Sequence, residues 1–357
     1  MSKIDYWKKL QKQIERGKQG LNTGIPFSGF TTLSNQIDNI QQARYDLIFA
    51  GTGVGKSGFI DSTYIYGAID FLQQNPGYIH KLKIIYYSLE IPPEDQIAKH
   101  IARLLWKHHG ILTTVKEIKS RGNSNIPHDV EILIEQYKDE MQEIQDKYIT
   151  YRTSLNPDFL YKDIMGYAEK NGTIIRNPEG IILNYIPNDL GLITLIVIDH
   201  FGLIDQGKYP TLKAAIDQAS HYLVKFRNWF GFSPLAIFQS NRSSEGMDRR
   251  GDDNWEPQVS DIMDSSRPGQ DANTILGIAS PYNFKVDNYH GFDITKYKDR
   301  FRMLKICKNR DGSPNLIAHF LFVGEIGSYY QLPKVEDIIG KPEELKKIDE
   351  YYKQKFM

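Results

Sequence analysis

Residues 45–58 read YDLIFAGTGVGKSG. The first six make a short apolar run of the kind that forms a buried strand. The chain then turns on three glycines, Gly51, Gly53 and Gly55, with Thr52 and Val54 between them. Glycine allows the backbone angles of a tight loop and lets its N–H groups aim inward. Lys56 and Ser57 follow at the start of a helical stretch. Inward amides at a helix N-terminus attract an anion, a lysine in this slot reaches the outer phosphates of a nucleotide, and the hydroxyl beside it ligates Mg²⁺. An ordinary strand-to-helix turn is the plain alternative. The strand ahead and the Lys-Ser pair behind favour a phosphate cradle for ATP with Mg²⁺, although Ala50 stands where the strict P-loop pattern has glycine.

The chain has 357 residues, of which 44 are basic and 44 acidic. That length suits one large α/β domain with insertions, or two modest domains. With 40% hydrophobic and 25% charged residues, the composition is that of an ordinary globular protein. The cancelled charge excludes nucleic-acid binding by bulk electrostatics, so any such contact must come from a local patch or an oligomeric channel. The single cysteine, Cys307, excludes an intrachain disulfide and suits a reducing compartment. The N-terminal MSKIDYWKKLQKQIERGKQG lacks the apolar stretch of a signal peptide, and no apolar run approaches ~20 residues. A cytoplasmic protein that does not span a membrane is expected.

Residues 3–18 place Ile4, Trp7, Leu10 and Ile14 on one helical face, which packs on its own core or docks on a neighbouring subunit. Lys56 to about Leu72 read as a helix. KIIYYSLE at 83–90 is a β-rich run ending in a carboxylate, and Pro92-Pro93 start a helix to about His108. Residues 109–147 are charged and helical. YITYRT is a short strand, followed by a helix from Pro157 to about Lys170 with Asn156 as its N-cap. Residues 171–190 read as a loop or hairpin insertion. LITLIVIDH at 192–200, the most hydrophobic stretch, suits a central strand of a parallel sheet covered on both faces. A helix over about 211–230 and the strand PLAIFQSNR come next, then a polar loop at roughly 243–258. TILGIAS, FRMLKICKNR and NLIAHFLFVG read as late strands, the last two a hairpin turning at DGSP. Alternating strands and helices from 45 to 240 predict a doubly wound, mostly parallel sheet with flanking helices, whose ligands bind at the carboxyl ends of the strands.

Glu90, Asp199 and Gln239 fall at such ends, as does the glycine loop. ATP hydrolysis needs phosphate binding, a Mg²⁺ carboxylate, a group to activate water and positive charge at the transition state. Asp199, closing a strongly apolar strand, is the candidate Mg²⁺ carboxylate with Ser57; a cap or turn residue is the alternative, and the upstream loop favours the metal role. Glu90 polarises the attacking water or simply opens the PPED turn. Gln239 senses the γ-phosphate or is one more polar residue at a strand end.

In order along the chain, AGTGVGKS, YYSLE, LIVIDHFGLI, FQSNRS, SDIMDSSRPGQDAN and KNRDG resemble the RecA-like ATPase domain of DnaB-type replicative helicases, bacteriophage versions included. TGIPFSGFTTLSNQI looks like that family's entry segment. The resemblance covers about residues 20–333. It implies a P-loop NTPase fold ending in a β-hairpin, with Glu90 as catalytic base, Asp199 as Walker B carboxylate and Gln239 coupling the γ-phosphate to the DNA loops. Lys308 and Arg310 correspond to the pair that reaches the neighbouring subunit's nucleotide, Arg310 being the arginine finger. A finger supplied in trans implies a ring or helical hexamer.

The resemblance also implies a helicase or translocase moving 5′→3′ on single-stranded DNA in phage or host replication, in the host cytoplasm if phage-encoded, with a loader or primase as partner. Its DNA loops correspond to roughly 243–258 and 261–269, where Arg249, Arg250 and Arg267 are candidates for phosphate contacts. The family's Arg-Glu-Ser reads Met263-Asp264-Ser265 here, so one expected cation is missing. Residues 1–19 correspond to a linker-like helix, 20–334 to the ATPase domain with insertions at about 109–147 and 171–190, and 335–357 to a helical tail. Only about twenty residues precede the entry segment, so the family's N-terminal collar is not expected. A recombinase-like or regulatory ATPase without unwinding is the rival with the same fold, and a nucleotide-holding structural subunit the rival from another class.

Overall fold

The computed structural model describes residues 6–241, 255–263 and 265–334, with Glu343, Lys346 and Glu350 beyond them. Ile4, Arg249, Arg250, Asp264 and most of the tail after 334 lie outside the described residues.

The chain begins with α1 (Tyr6–Lys18) and α2 (Thr31–Ile37) and enters the sheet at β1 (Asp46–Ala50). Every residue of β1 is buried, as a continuous apolar run requires when both faces of its sheet are covered. After the glycine loop, α3 (Lys56–Ile60) runs into α4 (Tyr66–Gln74) through a π-helical segment, Asp61–Ile65. The single helix expected here is thus interrupted. Ser62 Oγ donates to the Gly58 carbonyl at 2.8 Å and Thr63 Oγ1 to the Phe59 carbonyl at 2.6 Å, and hydroxyls bonded one turn back compete with the regular backbone ladder.

β2 (Lys81–Ser88) and α5 (Pro93–His109) come next, then α6 (Val115–Ile118), α7 (His128–Gln136) and α8 (Lys138–Lys147). After β3 (Ile149–Arg152), α9 (Pro157–Lys170) starts on its proline, with Asn156 Oδ1 accepting the Phe159 N–H at 2.9 Å. Residues 171–190 carry an antiparallel hairpin, β4 (Gly172–Arg176) with β5 (Ile182–Pro187). β6 (Leu192–Asp199), α10 (Leu212–Phe230), β7 (Ser233–Gln239), α11 (Arg267–Asp271) and β8 (Thr274–Ala279) continue the alternation. A small ladder of β9 (Asn288–Tyr289) and β10 (Phe292–Asp293), then α12 (Ile294–Tyr297), leads to β11 (Phe301–Asn309), β12 (Ile317–Val323) and β13 (Ser328–Gln331).

These strands form a nine-stranded sheet in the order β13-β12-β11-β8-β1-β7-β6-β2-β3. From β8 to β3 every pairing is parallel; β11, β12 and β13 extend that edge antiparallel. Period-two alternation sends neighbouring side chains to opposite faces. Ile48, Leu195 and Val197 pack with Phe59, Ile69 and Leu104 from α3, α4 and α5. Leu47, Phe49, Ile196 and Ile198 pack with Leu160, Ile164, Ile216 and Leu223 from α9 and α10. The sheet is therefore sandwiched between helices, and only its strand ends are left for chemistry.

Candidate nucleotide site

The glycine loop leaves the carboxyl end of β1. Gly53 and Gly55 hold φ at +73° and +101°, a region that side chains disfavour. Gly55 is fixed by space as well, since a Cβ there would stand 2.7 Å from the Phe322 ring and 2.8 Å from the Tyr329 hydroxyl. At Gly53 a Cβ would meet nothing within 4 Å. The Val54 carbonyl accepts from Tyr329 Oη at 3.0 Å and Arg302 Nε at 2.7 Å, which clamps the loop to β13 and β11. Lys56 is buried, and its Nζ donates to the Ala50 and Gly51 carbonyls, both at 3.1 Å. A cavity of about 200 Å³ lies against the loop, lined among others by Gly51, Thr52, Val54 and Ser280. A larger one, about 990 Å³, sits behind it between Asp61, Tyr66, Arg103 and Tyr329. Its lining lacks the loop glycines, so the chemistry of the residues and not cavity size locates the site.

Asp199 ends β6 on the neighbouring side of the loop. Ser57 Oγ donates to its Oδ2 at 3.0 Å, and Tyr86 Oη donates to the same oxygen at 3.0 Å. Asp199 is 1% exposed, and its Oδ1 has no hydrogen-bond partner among the described residues. Burial pushes this carboxyl up from 3.8 to about 6; the bonds from Tyr86 and Ser57 oppose that rise, and the charges of Glu90 and Asp61 add to it. A buried carboxylate with one orphan oxygen, beside a serine hydroxyl, is a hard-oxygen donor pair that fits Mg²⁺. That ion takes one or two protein oxygens and fills its shell with water and phosphate. Among the described residues no three or more His, Cys, Asp or Glu side chains gather into a metal cage, so phosphate oxygens would have to complete the coordination.

Glu90 stands two residues past the end of β2. The N–H groups of Leu89 and Glu90 both donate to the Asp199 carbonyl, at 2.8 and 3.3 Å, which fastens the start of this segment to β6. The Glu90 side chain is 46% exposed, with Oε2 3.9 Å from His200 Nε2. Gln239 lies beside Ala50 in the parallel register. Its carbonyl accepts the Met263 N–H at 3.1 Å, and the next residue, Ser240, bridges to Ile262. The segment leading into the second expected DNA loop is therefore stitched to the exit of β7, within one strand of the glycine loop. Arg267 opens α11 and pairs with Asp271 at 3.0 Å.

Lys308 and Arg310 lie elsewhere. Asn309 pairs with Thr274, and Thr274 with Asp46, which is the first residue of β1, whereas the glycine loop follows the last. At ~3.3 Å per residue, the two ends of β1 are about 13 Å apart. Lys308 Nζ donates to the Gly269 and Gln270 carbonyls at 2.8 and 3.0 Å, and Arg310 Nη2 to Gln270 at 2.8 Å. Neither cation shares a site with the Lys56 of its own chain.

Several contributors had no motif to announce them. Tyr86 holds Asp199 and in turn accepts from Gln96 Nε2 at 3.2 Å. Asp61, one turn after Ser57, pairs with Arg103 at 2.6 Å and Lys99 at 3.4 Å, and Arg103 also donates to the Ile326 and Gly327 carbonyls at 3.1 and 3.3 Å. The available signal was a polar residue inside an otherwise apolar element, because a buried polar group must find a partner.

No family model matches this chain, and no curated protein matches it in sequence. Solved structures similar to it include a helicase ATPase domain, with a TM-score of 0.67 and 19% identity, covering 93% of this chain and 100% of that one. Another, described as a DnaB-like replicative helicase and its interactions with primase, has a TM-score of 0.64 and 20% identity, covering 93% of this chain and 69% of that one. The chain has the α/β RecA-like fold of DnaB-type helicase ATPase domains.

Proposed function

We propose that the chain is an ATP-hydrolysing motor of the DnaB helicase type, which assembles into a ring, moves along single-stranded DNA in the 5′→3′ direction and opens the duplex ahead of it. The observation that carries this reading is the contact of Ser57 with Asp199, one of whose oxygens is buried without a partner among the described residues, beside the glycine loop at the carboxyl ends of parallel strands. When bound, Mg²⁺ supplies charge neutralisation across the outer phosphates. Ser57 and Asp199 would hold it, and Lys56 would turn from its own loop carbonyls to the phosphate oxygens. Gly51, Thr52, Gly53, Val54 and Gly55 would present their amides to the same anion. Glu90 takes the proton of the attacking water, and Gln239 passes the state of the γ-phosphate to the segment tied to β7.

Arg310, with Lys308, acts on the nucleotide of the next copy. The support for this is their position at the far end of β1 from the loop of their own chain. Assembly has further support in α1, where Trp7, Leu10 and Ile14 are 65%, 45% and 50% exposed, an apolar stripe suited to a second copy. Arg267, Arg249, Arg250 and the Asp264 segment are the proposed path of the DNA. Primase is a proposed partner because the similar helicase structure is described with it. Among the described residues no helix is long and apolar enough to cross a membrane, which accords with action in the cytoplasm.

ATP hydrolysis with and without single-stranded DNA, alongside unwinding of a forked duplex, tests the proposal. A helicase hydrolyses faster with DNA and opens the fork. Hydrolysis without opening would replace the proposal by a DNA-dependent ATPase of recombinase or regulatory type, and saturable ATP binding without turnover by a structural subunit.

A further inference from the structure

We propose that His200 is a positioning residue for Glu90, holding the carboxylate in its working rotamer through the Nε2 proton; this rests on the reading of Glu90 as the group that takes the proton from water. His200 directly follows Asp199 and is buried, capping the short 3₁₀ turn Phe201–Leu203. The Gly202 N–H donates to His200 Nδ1 at 3.2 Å. Nδ1 is therefore the acceptor, and the neutral ring must carry its proton on Nε2. Nε2 faces Glu90 Oε2 at 3.9 Å. That gap is long for a hydrogen bond and closes with a small turn of the glutamate, in keeping with catalytic contacts that tighten once substrate binds.

The need for such a donor follows from how Glu90 is held. Its backbone is fastened to Asp199 by the two N–H bonds from Leu89 and Glu90, yet its side chain is 46% exposed and free to explore several staggered rotamers. An amide-like neutral donor selects one rotamer and leaves the carboxylate its negative charge, whereas a lysine or arginine in the same place would make it a poorer base. The two ring nitrogens thus do separate jobs, Nδ1 shaping the turn and Nε2 orienting the base.

Two substitutions separate these jobs. In His200→Asn the side chain can still accept from Gly202 but cannot reach Glu90. In His200→Gln the terminal amide reaches the place of Nε2 and loses the cap. ATP turnover, the KM for ATP, affinity for a fluorescent ATP analogue and the melting temperature are measured for both and for the wild type. Positioning predicts that Gln keeps kcat within about threefold, while Asn loses about 10–100-fold in kcat with analogue affinity unchanged, the scale expected for a misplaced reacting group. The reverse order, with Asn active and Gln impaired, would mean that His200 only shapes the turn, and equal activity in all three would also overturn the assignment. A wild-type protein that turns over no ATP would sink the functional reading itself, an outcome distinguishable from either of these.

Discussion

At Asp199 a single carboxylate is kept in a place that water cannot reach, and it bears an energetic cost in the absence of its ligand. Its folded-state value of about 6 lies above the ordinary 3.8, with burial as the main cause. The native state therefore binds the proton more tightly than the unfolded chain between those two values, so stability falls as pH rises across that window and stays low above it. Two units correspond to about 3 kcal/mol at most. Asp199→Asn, which keeps the acceptor for Ser57 and Tyr86, should raise stability above pH 7 by about 1–3 kcal/mol in Mg²⁺-free buffer and give no gain near pH 4, as read by urea denaturation. It should also abolish ATP turnover. A gain that is the same at both pH values would show that the buried charge is not its origin.

The same residue shows how far single positions were legible. Asp199 and Glu90 stood out because a carboxylate closing an apolar strand has few structural reasons to be there. Tyr86 did not, since a tyrosine within a β-rich run is ordinary, and only the packed sheet reveals that its hydroxyl meets Asp199 while Tyr87, on the opposite face, meets Asp163 at 2.8 Å. His200 was part of a quoted motif, but its partner lies more than a hundred residues away in sequence.

On the scale of elements, the glycine loop is set between β1 and α3 and pinned from behind by β11 and β13. Its glycines are not equivalent. Gly53→Ala places a methyl in open space and is charged only for its left-handed backbone, about 1 kcal/mol. Gly55→Ala drives a methyl into Phe322 and Tyr329, so it should cost about 2 kcal/mol or more and abolish ATP-analogue binding. Thermal melts and fluorescence titrations of the pair would show this asymmetry, and equal effects would refute the clamp formed by Tyr329 and Arg302. The β11–β12 hairpin was visible in advance because DGSP supplies turn chemistry between two apolar runs. β13 was not, being four residues long and without alternation to mark it. The π-helical segment escaped because Ser62 and Thr63 are unremarkable in a helix until their back-bonds are seen.

For the whole molecule, the surfaces that matter are those one copy leaves unused. Trp7, Leu10 and Ile14 project from α1 without cover from the described residues. Trp7→Asp with Leu10→Asp should therefore lower the oligomeric order seen by light scattering while leaving the melting temperature of the dilute protein within about 2 °C, since no buried contact is lost. A drop in melting temperature with unchanged oligomeric order would place the stripe in the chain's own fold. The alternation of strands and helices was enough to expect the doubly wound sheet. The distance between Arg310 and the glycine loop could not be read from one dimension, because it depends on β11 running antiparallel to β8 and so reversing the end at which KNR emerges.

That reversal makes the central claim, a site shared between two copies, directly measurable by mixing two inactive proteins. Lys56→Ala keeps the finger and loses the cradle, and Arg310→Ala keeps the cradle and loses the finger. Each alone should fall at least about 10³-fold in DNA-stimulated ATP turnover. Mixed in equal amounts and allowed to exchange subunits, they should recover activity at about a quarter of their shared sites, those in which an intact cradle meets an intact finger. Full activity of Arg310→Ala alone, or no recovery in a mixture shown to co-assemble, would contradict the shared site.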